Sequence, residues 1–140
     1  EADKRGIDSH RLTFAKKLPL ELHLARHSLG DIFLDTFNYN AHTTASDALW
    51  AGMPLITLAG KSFSSRVAAS LLNSIGLKEL ICSSKQEYYE KALDLGKNPN
   101  KIFFLKQKIM KNKISHPLFN SELFVKNYEL QIKKILEINN

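Results

Sequence analysis

Short apolar runs bounded by turn residues alternate with longer segments of helical period as far as Cys82, and no other pattern constrains the fold of this chain as strongly. Residues 11–14, 31–35, 54–58 and 79–82 read as strands. Residues 20–28, 43–51 and 63–75 between them read as helices. In the last of these Val67, Leu71 and Ile75 recur every four residues, and Gly76 stands where a helix C-cap belongs. Strand–helix–strand repetition with right-handed crossovers builds a parallel, Rossmann-like α/β sheet. Beyond residue 83 only helical periodicity remains, over 85–95, 99–114 and 121–138, and the last segment carries Phe124, Tyr128, Ile132 and Ile135 on one stripe. The simplest division is one domain over 1–140, with 84–140 as its helical tail. Four strands are few for a doubly wound sheet, so one or two more are expected before Glu1.

The chain has 140 residues, 44% of them hydrophobic, which is enough to bury a core. Its one cysteine, Cys82, excludes a disulfide scaffold and a Cys-rich zinc module, and reads as a small buried apolar residue. The longest apolar stretch, 48–59, is too short for a membrane span and is broken by Gly52 and Pro54. The opening residues are too charged for a signal peptide, so a cytoplasmic location is expected. The formal charge is +6, and the excess lies late: from Leu95 through Ser121 no acidic residue occurs, while Lys97, Lys101, Lys106, Lys108, Lys111 and Lys113 do. Such a window suits a nucleic-acid footprint, but Ile102, Leu105 and Ile109 run through it at helical spacing and no aromatic interleaves with arginine. A solvated helix face is the plainer reading, and nucleic acid is not an expected partner.

In open parallel sheets ligands bind at the carboxyl ends of the strands. After the 31–35 strand a polar loop runs into a helix at His42-Thr43-Thr44-Ala45-Ser46-Asp47. A helix N-terminus offers unpaired N–H groups and positive partial charge, so an imidazole and two hydroxyls there make a phosphate cradle that suits a diphosphate. Thr44 to Asp47 is equally a capping-box pattern, in which Thr44 caps the helix and Asp47 reaches back to it. Local sequence favours the cap, and position in the fold favours the ligand. Upstream, His23 and Arg26 share one helix face, suited to stacking on or hydrogen-bonding a base. His23 and His27 have the i,i+4 spacing of a metal pair, but Leu24 stands where a zinc protease helix carries glutamate, and no metal site is expected. No catalytic triad, Walker loop or dinucleotide fingerprint occurs.

The string from His23 through Arg26, Asp31 and Asp35 to Thr36 closely resembles the O-linked N-acetylglucosamine transferase family, which includes SPINDLY-type and bacterial tetratricopeptide-linked enzymes. So does the string from Tyr39 through His42-Thr43-Thr44, Asp47, Trp50 and Gly52 to Pro54. The likeness continues through 57–60, 65–70 and 76–80 and resumes at 115–120, covering nearly everything from Arg11 onward. The resemblance implies a GT-B glycosyltransferase with two Rossmann-like domains facing a cleft, of which this chain looks like the C-terminal, donor-binding half. By that likeness His42, Thr43 and Thr44 hold the donor diphosphate and Asp47 contacts the ribose side, while the helix with His23 and Arg26 embraces the uracil. It implies inverting, metal-independent transfer of N-acetylglucosamine or a related sugar from a UDP-sugar to a protein Ser/Thr hydroxyl, with no cofactor. The partners implied are UDP-N-acetylglucosamine, a protein acceptor, an upstream N-terminal domain and tetratricopeptide repeats. The sequence departs from the family at Leu20, where members often carry a ribose-reaching lysine; Lys16 and Lys17 lie nearby. A family lysine that neutralises the leaving diphosphate, and the acceptor-side residues, would lie upstream, so the chain alone is expected to be inactive. Competing readings are another GT-B enzyme, such as a sugar-nucleotide epimerase, and a non-catalytic basic binding module.

Overall fold

The computed structural model describes residues 1–138. Its centre is a strand, β2 (Leu55–Leu58), in which Leu55, Ile56 and Thr57 are all buried. A strand buried on both faces needs neighbours on both edges and helices on both sides. β1 (Phe33–Leu34) and β3 (Ile81–Cys82) pair with it in parallel, in the order β1-β2-β3, with Phe33 opposite Leu55 and Thr57 opposite Ile81. The helices α1 (Leu20–Arg26), α2 (Thr43–Trp50), α3 (Val67–Ser74), α4 (Lys85–Lys97), α5 (Pro99–Ser115) and α6 (Ser121–Ile138) complete the chain. α2, α3 and α4 pack on β2, and α5 packs on α4. The core they close holds Ala45 and Leu49 of α2, Ala68 and Leu72 of α3, Tyr88 and Leu95 of α4, and Ile102 and Ile109 of α5. Cys82 lies in that core, and burial pushes its thiol pKa up, with a smaller upward push from Glu87.

Two of the α/β connections are set by local chemistry. Gly76, at φ 75°, follows α3, and the Gly76 and Leu77 N–H groups return to the carbonyls of Asn73 and Leu72. Gly52, at φ 88°, ends α2 the same way through Leu49 and Ala48, and Pro54 then prevents the helix from resuming. Both are Schellman closures, in which glycine enters the left-handed region without a Cβ penalty.

One expected strand does not form. Residues 9–11 make a short 3-10 turn, with Arg11 and Leu12 donating to Asp8 and Ser9, and residues 12–14 adopt no regular structure. Phe14 is 90% exposed. A strand is stabilised by a partner strand and a covered face; β1 pairs with β2, and among the described residues no strand lies on its other side. The sheet described therefore has three strands, where the periodicity predicts four.

The helical half divides. α4 and α5 are integral layers of the core, whereas α6 exposes every described side chain through Glu137, including Phe124, Tyr128 and Ile132 of its apolar stripe. Among the late lysines, Lys101 pairs with Asp94 and Lys108 with Glu79, while Lys106 reaches Gly30 O at 2.8 Å and Asp31 at 3.4 Å. Lys113 donates to Trp50 O and lies 4.1 Å from the centre of the Trp50 ring. Four of the six are thus engaged with the fold. No described helix is long and apolar enough to cross a membrane.

Candidate functional site

α2 starts at Thr43, with His42 in the N-cap position, and no side chain caps it. The capping-box reading is therefore not realised: Thr44 is the second helical residue, and the Asp47 carboxylate lies 3.9 Å from His23 Nε2. The first N–H groups of a helix have no intrahelical acceptor, and here Thr43 and Thr44, the first two residues of α2, are both exposed. His42 is half-buried beside them. Its ring stacks on Tyr39 at 4.9 Å and 12°, meets Phe63 edge-on at 6.3 Å, and brings Nε2 to 3.4 Å from Ser64 O.

α1 packs against α2 and brings a second group of side chains to the same place. Arg26 donates from one amino group to Lys16 O and from the other to His23 Nδ1, both at 2.7 Å. Arginine is only a donor, so Nδ1 accepts and the ring hydrogen belongs on Nε2, the nitrogen facing Asp47. His23, Arg26 and Asp47 thus form one cluster, on helices whose only link in sequence is the intervening strand and loop. His27, buried, meets His23 edge-on at 4.7 Å and places its Nδ1 2.8 Å from His23 O, so it props α1 from within. Among the described residues no three His, Cys, Asp or Glu side chains gather as a metal ion requires. Lys16, Lys17, Leu20, His23 and Arg26 line a hollow of about 590 Å³ outside α1. Leu20 offers only an exposed apolar side chain there, and Lys16, Lys17 and Arg26 supply the positive charge.

Sequence reasoning missed the support beneath the His42 loop. Asp35, the residue after β1, is 4% exposed; its Oδ1 accepts from the Thr36 and Ala41 N–H groups at 2.9 and 2.7 Å, and its Oδ2 accepts from Thr57 Oγ1 at 2.6 Å. Tyr88 of α4 donates to Asp35 O at 3.0 Å. Burial, and then the Asp35 charge, push the Tyr88 phenol up to about 12. Asn40, also buried, donates from its side chain to Thr36 O and from its backbone to Ser64 O, which laces the loop to the 61–65 segment. Its Oδ1 is buried without a hydrogen-bond partner among the described residues. The available signal was a threonine in the otherwise apolar Leu55-Ile56-Thr57-Leu58 run and an aspartate at a strand end.

A parallel sheet between helix layers, with an uncapped helix N-terminus at the carboxyl end of its first strand, is a Rossmann-like domain, and its likeness to a solved O-GlcNAc transferase assigns it to the GT-B glycosyltransferase class. The comparison with known proteins is more particular. The chain belongs to glycosyl transferase family 41, which it matches over residues 1–128. It is 35% identical over 126 residues to the UDP-N-acetylglucosamine–peptide N-acetylglucosaminyltransferase of Caenorhabditis elegans, covering 90% of this chain and 11% of that protein. It is 35% identical over 139 residues to the probable enzyme of the same name, SEC, of Arabidopsis thaliana, covering 99% of this chain and 14% of that one. Among solved structures it resembles the K341M mutant of the Thermobaculum terrenum O-GlcNAc transferase, with a TM-score of 0.83 and 31% identity over 94% of this chain and 25% of that one. The chain spans about a seventh or less of the length of these curated relatives.

Proposed function

We propose that this chain is the donor-binding half of an inverting glycosyltransferase that moves N-acetylglucosamine, or a related sugar, from a UDP-sugar to a Ser or Thr hydroxyl of a protein. The observation that carries the reading is the uncapped α2 N-terminus, with Thr43 and Thr44 exposed around it, His42 at its edge and the His23–Arg26–Asp47 cluster alongside. The names of the relatives in worm and plant, which are peptide N-acetylglucosaminyltransferases, support the same chemistry.

Departure of UDP leaves negative charge on the diphosphate. In this reading the α2 N–H groups, the Thr43 and Thr44 hydroxyls and the His42 imidazole stabilise it, without a metal ion or cofactor. Asp47 takes the ribose side, and His23 and Arg26 hold the base. The acceptor hydroxyl, the group that removes its proton and a further cation for the diphosphate come from a second domain upstream, which tetratricopeptide repeats precede. The setting is cytoplasmic. Calorimetry with UDP and uridine tests the donor site. UDP should bind the chain more tightly, because most of the binding free energy belongs to the diphosphate; equal affinities would refute the reading.

A further inference from the structure

Resting on that donor-site reading, we infer that Asp35 is the positioning residue of the site: its buried carboxylate sets the 36–41 loop, and through it the place of His42 and the first turn of α2. Three donors converge on its two oxygens, the N–H groups of Thr36 and Ala41 and the hydroxyl of Thr57. The two N–H groups are the first residue of the loop and the residue before His42, so one oxygen clamps both ends of the turn. Thr36 Oγ1 closes the turn on Tyr39 O at 2.7 Å, and the Asn40 side chain returns to Thr36 O. The second oxygen ties the clamp to the centre of β2, through a threonine that is fully buried.

The choice of a carboxylate is itself informative. Among the described residues no cation lies within ion-pair distance of Asp35, and burying an unpaired charge is costly unless hydrogen bonds compensate. A neutral apolar residue would serve the core at lower cost. Only an acceptor with no donor of its own takes all three hydrogens; an asparagine carbonyl keeps the two N–H groups, but its NH2 faces Thr57 Oγ1, which reverses that hydrogen bond and removes the charge from the clamp. What the carboxylate secures is a loop shape. That loop ends at the ring and helix start that hold the diphosphate, which need placement to a few tenths of an ångström.

The test compares Asp35→Asn, Thr57→Val and Thr57→Ser with the unaltered full chain, measuring UDP and uridine affinities by calorimetry alongside thermal unfolding. Thr57→Val keeps the volume of the buried residue and removes only the hydroxyl, so it remains informative if Asp35→Asn fails to fold. A residue that merely supports the fold would lower stability and leave the ratio of UDP to uridine affinity alone. The positioning role requires that ratio to fall about tenfold in Asp35→Asn and in Thr57→Val, scaled to the loss of a charge-assisted hydrogen bond, and to recover in Thr57→Ser. Folded Asp35→Asn and Thr57→Val proteins that keep the unaltered ratio would overturn the inference. If the unaltered chain does not discriminate UDP from uridine, it is the donor-site reading that fails.

Discussion

Thr43 and Thr44 hold no structural post in α2: they are exposed, and neither caps the helix. Removing both hydroxyls should therefore weaken UDP binding at least tenfold, since each charge-assisted hydrogen bond is worth about 1.5–3 kcal/mol. The melting temperature should barely move, because the ~1 kcal/mol of a lost cap does not apply. Calorimetry and thermal unfolding of the double Thr43→Ala, Thr44→Ala protein check both halves. Tyr88 behaves differently, because its phenol is part of the core and its pKa is raised from 10 to about 12. A raised pKa means that the folded state binds the proton more tightly than the unfolded one. The stability this contributes is complete below pH 10 and is lost as pH climbs toward 12. Tyr88→Phe should be less stable at neutral pH by about 1 kcal/mol, the worth of one hydrogen bond. Its deficit should narrow above pH 10 in denaturation curves taken side by side.

At the scale of elements, the connection out of α3 is the most demanding. A Cβ on Gly76 would lie 2.4 Å from His116 Nε2 and 3.1 Å from Asn112 Nδ2, in a backbone conformation that already disfavours it. The His116 side chain must shift to admit it, and the new methyl also presses on Asn112, which is buried and donates to Ile75 O at 2.7 Å, the bond joining α5 to the end of α3. Gly76→Ala should cost about 1–3 kcal/mol in chemical denaturation, the range for a left-handed non-glycine residue. Ile109, fully buried on α5, gives the complementary measurement: Ile109→Ala should cost about 2–5 kcal/mol through the cavity it leaves. A value near zero would mean that α5 is an outer helix and not a layer of the core.

For the molecule as a whole, the proposed function gives this chain the donor side of a cleft and leaves the acceptor side to a second domain. An inverting transfer needs the acceptor oxygen in line behind the sugar carbon, and positioning of that kind accounts for about 7–11 kcal/mol of barrier lowering. In a labelled-donor assay the purified chain should bind UDP-sugar and label no acceptor. Acceptor labelling at the rate of the complete enzyme would mean that these 140 residues hold the entire site. The engagement of Lys101, Lys106, Lys108 and Lys113 with the fold leads to a matching expectation. UDP should raise the melting temperature, and duplex DNA should not do so with the steep salt dependence of a counterion-releasing site.

Local information in the sequence sufficed for the presence of α2 to α6, through short-range chemistry such as the four-residue apolar repeat in α3 and the glycines that close α2 and α3, although α3 begins at Val67 and not at Phe63. The same holds for the parallel sense of β1, β2 and β3, since strands joined by crossovers long enough to hold a helix run parallel; their side-by-side order came from the tertiary structure. The residues 11–14 were misread because four apolar-rich positions carry strand propensity whether or not a partner strand stands beside them. The Thr44–Asp47 pair was ambiguous for a related reason. A capping box and a carboxylate turned toward another helix have the same local spelling, and only the packing of α1 on α2 directs Asp47 to His23. Asp35 follows β1, Thr57 lies in β2 and Tyr88 in α4, and no spacing along the chain joins them; their hydrogen bonds exist because the sheet and α4 bring them within reach. Burial then makes each of those bonds matter, since a polar group removed from water must find its partner inside the fold.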